Sequence, residues 1–281
     1  MTENLSLGFS PCPNDTFIFY GLVHGRIDPL DSPGITFTEP VLEDVEQLNL
    51  WALTKKLDVT KLSFHALGHV LDEYCLLSSG SALGRGCGPL LVAASAIPVE
   101  KMPGLTIAIP GKLTTAAMLL KMFLPDCHRL VEMRFDRIMG AISDGEVDAG
   151  VIIHESRFTY GEQGLFCLQD LGLWWEQSTE LPIPLGCIAA RRSLGRERIQ
   201  AIDRAIRASL EYSLAHPDEC LPYIRRYSQE LEPEIVRSHI QLYVNEFSRA
   251  LGGEGEAAVE AFLERGRRAG VLPGNKLKLM A

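Results

Sequence analysis

His154 has the setting that points most directly to chemistry. It closes the run Val147-Asp148-Ala149-Gly150-Val151-Ile152-Ile153, with Glu155, Ser156 and Arg157 behind it. A short apolar run with β-branched residues, bounded by Gly145 and by polar residues, predicts a strand buried on both faces of a parallel sheet. In open α/β sheets ligands bind at the carboxyl ends of the strands. Histidine is the side chain suited to act as a general base near neutral pH, and His154 stands at such an end. Glu155 is a candidate to orient it, although strand alternation points neighbours apart.

Other residues share this kind of position. Lys61, Leu62 and Ser63 end a second short apolar run. Thr114 and Thr115 follow the turn Pro110-Gly111 and open a helical pattern. Threonine there caps a helix, and the N–H groups of a helix N-terminus suit a carboxylate. His65 and His69 have the i,i+4 spacing of metal ligands, but no third ligand and no H-E-x-x-H pattern accompanies them. No metal is expected. Cys12 lies near a predicted helix N-terminus, where a thiolate is favoured. With no partner histidine to infer, it reads as a packed or loop cysteine. Asn14, in the same loop, is a candidate substrate contact. Trp174-Trp175 either covers a groove or packs between lobes.

The elements that must position these groups follow from periodicity and breakers. Residues 5–9 alternate as a strand and run into Ser10-Pro11-Cys12-Pro13-Asn14-Asp15, where two prolines forbid regular structure ahead of a helix. Residues 35–39 alternate as a second strand. Helices are expected over 44–56 and 64–74, with a strand at 57–62 between them. Gly80, Gly84, Gly86 and Gly88 precede a strand at 90–94; this order is wrong for a dinucleotide fingerprint and reads as turns. A strand at 105–109 leads to the Thr114-Thr115 helix, which ends at Pro125. A short helix at 137–143 precedes the histidine-bearing strand. An edge strand at 166–172 and a strand at 185–190 follow. The remainder is helical over 196–215, 219–227, 232–249 and 254–270, with solvated faces over a core and no catalytic group.

Two stretches repeat. KKLDVTKLSFH (55–65) and DGEVDAGVIIHE (144–155) share a helix end, a turn, an apolar-Asp pair and a short strand with a polar end. Superimposing Asp58 on Asp148 sets Ser63 beside Ile153 and Phe64 beside His154. Each stretch is preceded by a strand, a turn and a helix. Two such units predict an α/β, two-lobed protein with a ligand cleft between the lobes. The expected boundaries are 1–97 plus 187–281 for a discontinuous first lobe and 98–186 for the second. The crossovers fall near 95–103 and 180–190.

Composition narrows the class. A chain of 281 residues with 46% hydrophobic and 22% charged content is an ordinary globular protein, long enough for two modest lobes. A net charge of −9 argues against a nucleic-acid backbone as partner. No apolar run approaches the roughly 20 residues of a spanning helix, and no export signal is visible. Seven cysteines, odd in number and scattered, fit a reducing cytoplasm better than a disulfide framework. The oligomeric state is left open.

Five motifs in combination carry a resemblance: SPCPND after the first strand, KLSFHA, GRGCGPLLVA, PGKLTTA and VDAGVIIHE. Together they resemble the 1,4-dihydroxy-6-naphthoate synthases of the futalosine route to menaquinone, from Leu5 to about Arg191. The resemblance implies a periplasmic-binding-protein type II fold used without export. It also implies a cofactor-free lyase, which cleaves cyclic dehypoxanthine futalosine, a small carboxylate, to 1,4-dihydroxy-6-naphthoate and a dihydroxyacetone-like three-carbon fragment. The family's base falls on His154, and its substrate-binding positions fall on Lys61, Leu62, Ser63, Thr114 and Thr115. Two alternatives remain at this point. A chorismate dehydratase of the same pathway shares the fold. A solute-binding protein would hold a small acid without reaction.

Overall fold

The structure is a computed structural model. It describes residues 4–28, 34–154, 156–228, 232–274 and 277–281.

The first lobe starts with strand β1 (Leu7–Phe9), buried throughout, and helix α1 (Pro13–Val23), which has Pro13 in its first turn, where the missing N–H costs nothing. Strand β2 is the pair Val41–Leu42. The alternating stretch at 35–39 contributes only an isolated bridge, Leu5 to Phe37, because Pro40 interrupts it ahead of β2. Helix α2 (Val45–Leu53) is capped by Asp44, whose carboxylate accepts from the N–H of Glu46. Strand β3 (Val59–Ser63) and helix α3 (Phe64–Val70) follow. Two short strands then occupy a stretch expected to be helix and turns: β4 (Tyr74–Leu76) and β5 (Ala82–Gly84).

The chain crosses to the second lobe at Gly84–Pro89. Strand β6 (Leu90–Ala93) pairs antiparallel with later strands of the second sheet, so the first crossover precedes Leu90 instead of falling at 95–103. The second lobe continues through β7 (Ile107–Ile109), α4 (Thr115–Phe123), β8 (Leu130–Glu132), α5 (Ile138–Ser143) and β9 (Ala149–Ile152). Helix α6 (Ser156–Thr159), strand β10 (Phe166–Asp170) and helix α7 (Leu171–Thr179) complete it. Strand β11 (Ile183–Arg191) returns to the first sheet, between β3 and β4. Helices α8 (Arg196–Ala215), α9 (Pro217–Tyr227), α10 (Pro233–Tyr243), α11 (Glu246–Arg249) and α12 (Gly252–Arg268) then pack on the first lobe. The single helix expected over 232–249 is broken at Asn245, which caps α11 through a reciprocal bond with Ser248.

The sheets run β2-β1-β3-β11-β4, with β5 on β11, and β10-β6-β9-β7-β8. The sequence repeat is a structural one. Leu7 pairs with Val59 and Gly8 with Thr60 in one parallel ladder; Ile107 pairs with Ala149 and Ala108 with Gly150 in the other. One residue earlier, Asp58 Oδ2 accepts from the N–H of Ser6 at 2.9 Å, and Asp148 Oδ2 accepts from the N–H of Thr106 at 2.7 Å. The repeated aspartate therefore ties each strand to the start of its neighbour and sets the same register in both lobes. Registered alike, both parallel pairs end at the cleft.

Candidate active site

The cleft has an empty volume of about 660 Å³, counted to its open mouth. Ser10, Asn14, Asp15, Lys61 and Ser63 line it from the first lobe; Thr114, Thr115 and His154 line it from the second.

His154 sits two residues beyond the end of β9, with φ of +58°, in the left-handed region. A non-glycine residue there is uncommon and is held by its surroundings. Among the described residues, three side chains meet the ring. Phe135 meets it edge-on at 5.0 Å between centroids. His239 lies nearly parallel to it at 6.2 Å. The Cys12 Sγ is 3.5 Å from Nδ1 and 3.7 Å from Nε2, so the first lobe reaches across the cleft to the imidazole. Cys12, read from the sequence as a cysteine without a histidine partner, has one. Glu155 lies outside the described residues.

Behind His154 runs a chain of buried polar groups. Lys61 Nζ pairs with Asp15 Oδ1 at 2.6 Å, and both side chains are almost wholly buried. Asp15 Oδ2 accepts from the hydroxyl and the N–H of Ser10. Asn14 Nδ2 donates to Asp15 Oδ1, which turns Asn14 Oδ1 toward His239 Nε2 at 3.0 Å. That nitrogen must carry the proton. His239 Nδ1 has no partner among the described residues. Burial holds the His239 ring well below its ordinary pKa, and the neighbouring His154 and Lys61 push the same way. The lysine charge is therefore matched inside the protein, because an unpaired buried charge would be costly.

Ser63 lines the cleft from the first lobe and Thr114-Thr115 from the second. Asn49 Oδ1 accepts from the Ser63 N–H at 2.9 Å, and Asn49 Nδ2 donates to the Ser63 hydroxyl at 3.1 Å. Thr114 caps α4 by accepting from the Ala117 N–H, and its hydroxyl donates to Gly111. Thr115 donates to the Leu185 carbonyl on the returning strand. Leu62 faces away. On a strand, i and i+2 share a face, so Lys61 and Ser63 line the cleft while the Leu62 side chain packs in the hydrophobic core.

His65 spans the lobes in a different way. Its Nδ1 donates to the Thr114 carbonyl at 3.1 Å. Burial pushes its pKa down to about 4 against that hydrogen bond, with help from His69 and Lys121.

The comparisons with known proteins decide the family. The model of the family described as menaquinone biosynthesis matches residues 5–268. A 1,4-dihydroxy-6-naphthoate synthase of Thermus thermophilus is 54% identical over 92% of this chain and 92% of its own length. The chain belongs to the menaquinone biosynthesis family. It is an enzyme of that family. A second member named as such a synthase, from Streptomyces coelicolor, is 42% identical over 96% of this chain and 95% of its own. A crystal structure of an Archaeoglobus fulgidus protein superposes with a TM-score of 0.88 at 38% identity, covering 96% of this chain and 98% of that one. The periplasmic aliphatic sulphonate binding protein of Escherichia coli superposes with a TM-score of 0.65 at 14% identity, over 99% of this chain and 90% of its own, and shares the fold alone.

Set in this menaquinone-biosynthesis fold, several expectations need correction. The C-terminal helices are not remote from the site: α10 delivers His239 against His154 and Tyr243 to the cleft wall. Its stripe Val236, His239 and Tyr243 is buried, and a histidine on an otherwise apolar helical face was the available signal. The glycine-rich segment is more than turns. Cys87, Gly88 and Pro89 line the cleft where the chain crosses between lobes. A Cβ on Gly88 would lie 2.3 Å from the Gly172 backbone, so this glycine permits a close approach. The tryptophans pack. Trp175 is fully buried against Phe262 of α12, and Trp174 meets Phe123.

Proposed function

We propose that this protein is a 1,4-dihydroxy-6-naphthoate synthase: a carbon–carbon lyase acting in the cytoplasm on cyclic dehypoxanthine futalosine, with His154 as general base. The observation that carries the reading is His154 itself, an imidazole on the cleft wall in a family whose members here bear that name. The described contacts of the ring are an aromatic edge, the Cys12 sulfur and a histidine whose pKa burial holds well below its ordinary value.

The substrate's hydroxyl O–H bond breaks and its proton passes to His154. The freed electron pair forms the carbonyl of the departing three-carbon fragment as the carbon–carbon bond opens. The pair from that bond moves into the conjugated ring carbonyl, whose oxygen takes the proton back from His154, and transfer of a ring proton to the second ring oxygen completes aromatisation. No oxidant or reductant is consumed. A well-placed base contributes about 10²–10⁴-fold to such a step.

In this reading the substrate carboxylate lies against the N-terminus of α4 and the Ser63 hydroxyl. Thr114, Thr115 and Ala116 line the cleft there, and the positive end of a helix favours an anion. Lys61 is not its partner, because its charge is engaged by Asp15.

The test is direct. Purified protein is incubated with the cyclic precursor and products are followed by mass spectrometry. Appearance of the naphthoate together with a three-carbon fragment is expected. Binding without conversion would favour a solute-binding role, and dehydration of chorismate in place of cleavage would favour the sibling activity.

A further inference from the structure

The carboxylate of Glu46 touches both walls of the cleft without lining it. It sits in the first turn of α2 and is buried. Its Oε1 accepts from the N–H of Leu113 at 2.9 Å, in the second-lobe loop that leads into Thr114-Thr115. Its Oε2 accepts from Asn49 Nδ2 at 3.0 Å, in the first lobe. Gly111 leaves it room, since a Cβ there would lie 2.4 Å from the Glu46 carboxyl carbon.

This arrangement fixes the polarity of Ser63. Burial raises the Glu46 pKa, and the hydrogen bonds from Asn49 and Leu113 oppose that rise; the ionised carboxylate only accepts, so Asn49 turns its amide nitrogen toward Glu46. The Ser63 N–H needs an acceptor, so Asn49 must turn its oxygen there. The two requirements agree on one amide orientation. In that orientation Asn49 Nδ2 also donates to Ser63 Oγ at 3.1 Å. The serine oxygen is thereby used as an acceptor from behind, and its own proton is left to donate forward, toward the cleft that Ser63 lines.

We propose that Glu46 is a positioning and specificity-determining residue: through Asn49 it makes Ser63 a hydrogen-bond donor to the ligand, and through Leu113 it holds the opposing Thr114-Thr115 wall, so that the cleft selects a ligand acceptor such as a carboxylate oxygen. This inference rests on the proposed function for the identity of the ligand; the polarity of the network does not depend on it.

The substitutions Glu46→Gln and Asn49→Asp, alone and together, test both parts. With Glu46→Gln alone, the new amide can satisfy Leu113 only by facing its nitrogen to Asn49 Nδ2, donor against donor. With Asn49→Asp alone, two carboxylates meet. Combined, the new amide donates to the new carboxylate and the network closes again, but the carboxylate at 49 now takes the Ser63 proton. Thermal melts without ligand should show each single variant lowered by about 5 °C or more, with at least about half of that loss regained in the double variant. Wild-type protein should bind 1,4-dihydroxy-6-naphthoate at least about tenfold tighter than its 6-carboxamide, and the double variant should lose that preference. A purely structural role would restore stability and preference together.

Three results decide otherwise. Single variants as stable as wild type would overturn the network. A double variant that keeps the carboxylate preference would overturn the specificity role. A wild-type protein that neither binds the naphthoate nor forms it would overturn the proposed function and the ligand half of this inference, and the melts would still judge the network.

Discussion

Cys12 and His154 meet across the cleft: the thiol at the start of α1 stands 3.5 Å from Nδ1 and 3.7 Å from Nε2 of an imidazole in the other lobe. Near-equal distances mean that the sulfur restrains the ring without serving a single nitrogen. His154 also holds an uncommon backbone conformation, φ +58°. Among the described residues, this contact joins Phe135 and His239 in holding the ring once the chain has left β9.

Cys12→Ala should leave the ring freer to rotate. Misplacement of a reacting group by about 1 Å costs on the order of 10²-fold at the extreme; a fall in kcat of about tenfold is expected here, with KM within about twofold. Steady-state kinetics on the cyclic precursor would check it. Unchanged kcat would show that Phe135 and His239 hold the ring by themselves.

His65 predicts an acid sensitivity. Its pKa in the folded protein is about 4, below the ordinary 6.5. Between those values the unfolded chain takes up a proton that the folded protein refuses. Stability is therefore fully present above pH ~6.5, falls as pH drops toward 4, and has lost about 3 kcal/mol from this group below that. His65→Gln keeps an N–H donor for the Thr114 carbonyl and removes the titration. Denaturant melts at pH 7 and pH 4 should show a smaller loss in that variant than in wild type. An equal loss would assign the sensitivity to other groups, of which His239 is the foremost.

Trp175 predicts the strength of the join behind the cleft. Its ring is fully buried against Phe262, and its Nε1 donates to the Pro182 carbonyl. Trp175→Ala should cost about 3–5 kcal/mol, as other large-to-small core substitutions do. Equilibrium unfolding measures it, and a cost below about 1 kcal/mol would contradict the packing described.

Much of this was readable from residue order because the signals are local. The repeat around Asp58 and Asp148 announced two units, and the aspartates turn out to make the same hydrogen bond to Ser6 and Thr106. His154, Ser63 and the two threonines followed from strand ends and helix starts. The unreadable part is what the crossovers bring together. Nothing in the spacing of Cys12 and His154, or of Asn14 and His239, shows that residues 142 and 225 positions apart are in contact. The alternation at 35–39 points to a strand there, but Pro40 moves the paired residues on to Val41–Leu42, and β4 and β5 are too short for periodicity to mark. The motif groups Leu62 with Lys61 and Ser63, whereas the strand pleat sends its side chain to the core.

The central claim is that His154 removes the proton that starts the cleavage. The direct measurement compares wild type with His154→Asn in single turnover on the cyclic precursor, with substrate affinity measured in parallel. The asparagine fills most of the same space and cannot accept the proton. Binding within about threefold of wild type and a cleavage rate lower by at least about 10² is the expected result. Cleavage at a near-normal rate in that variant would contradict the account.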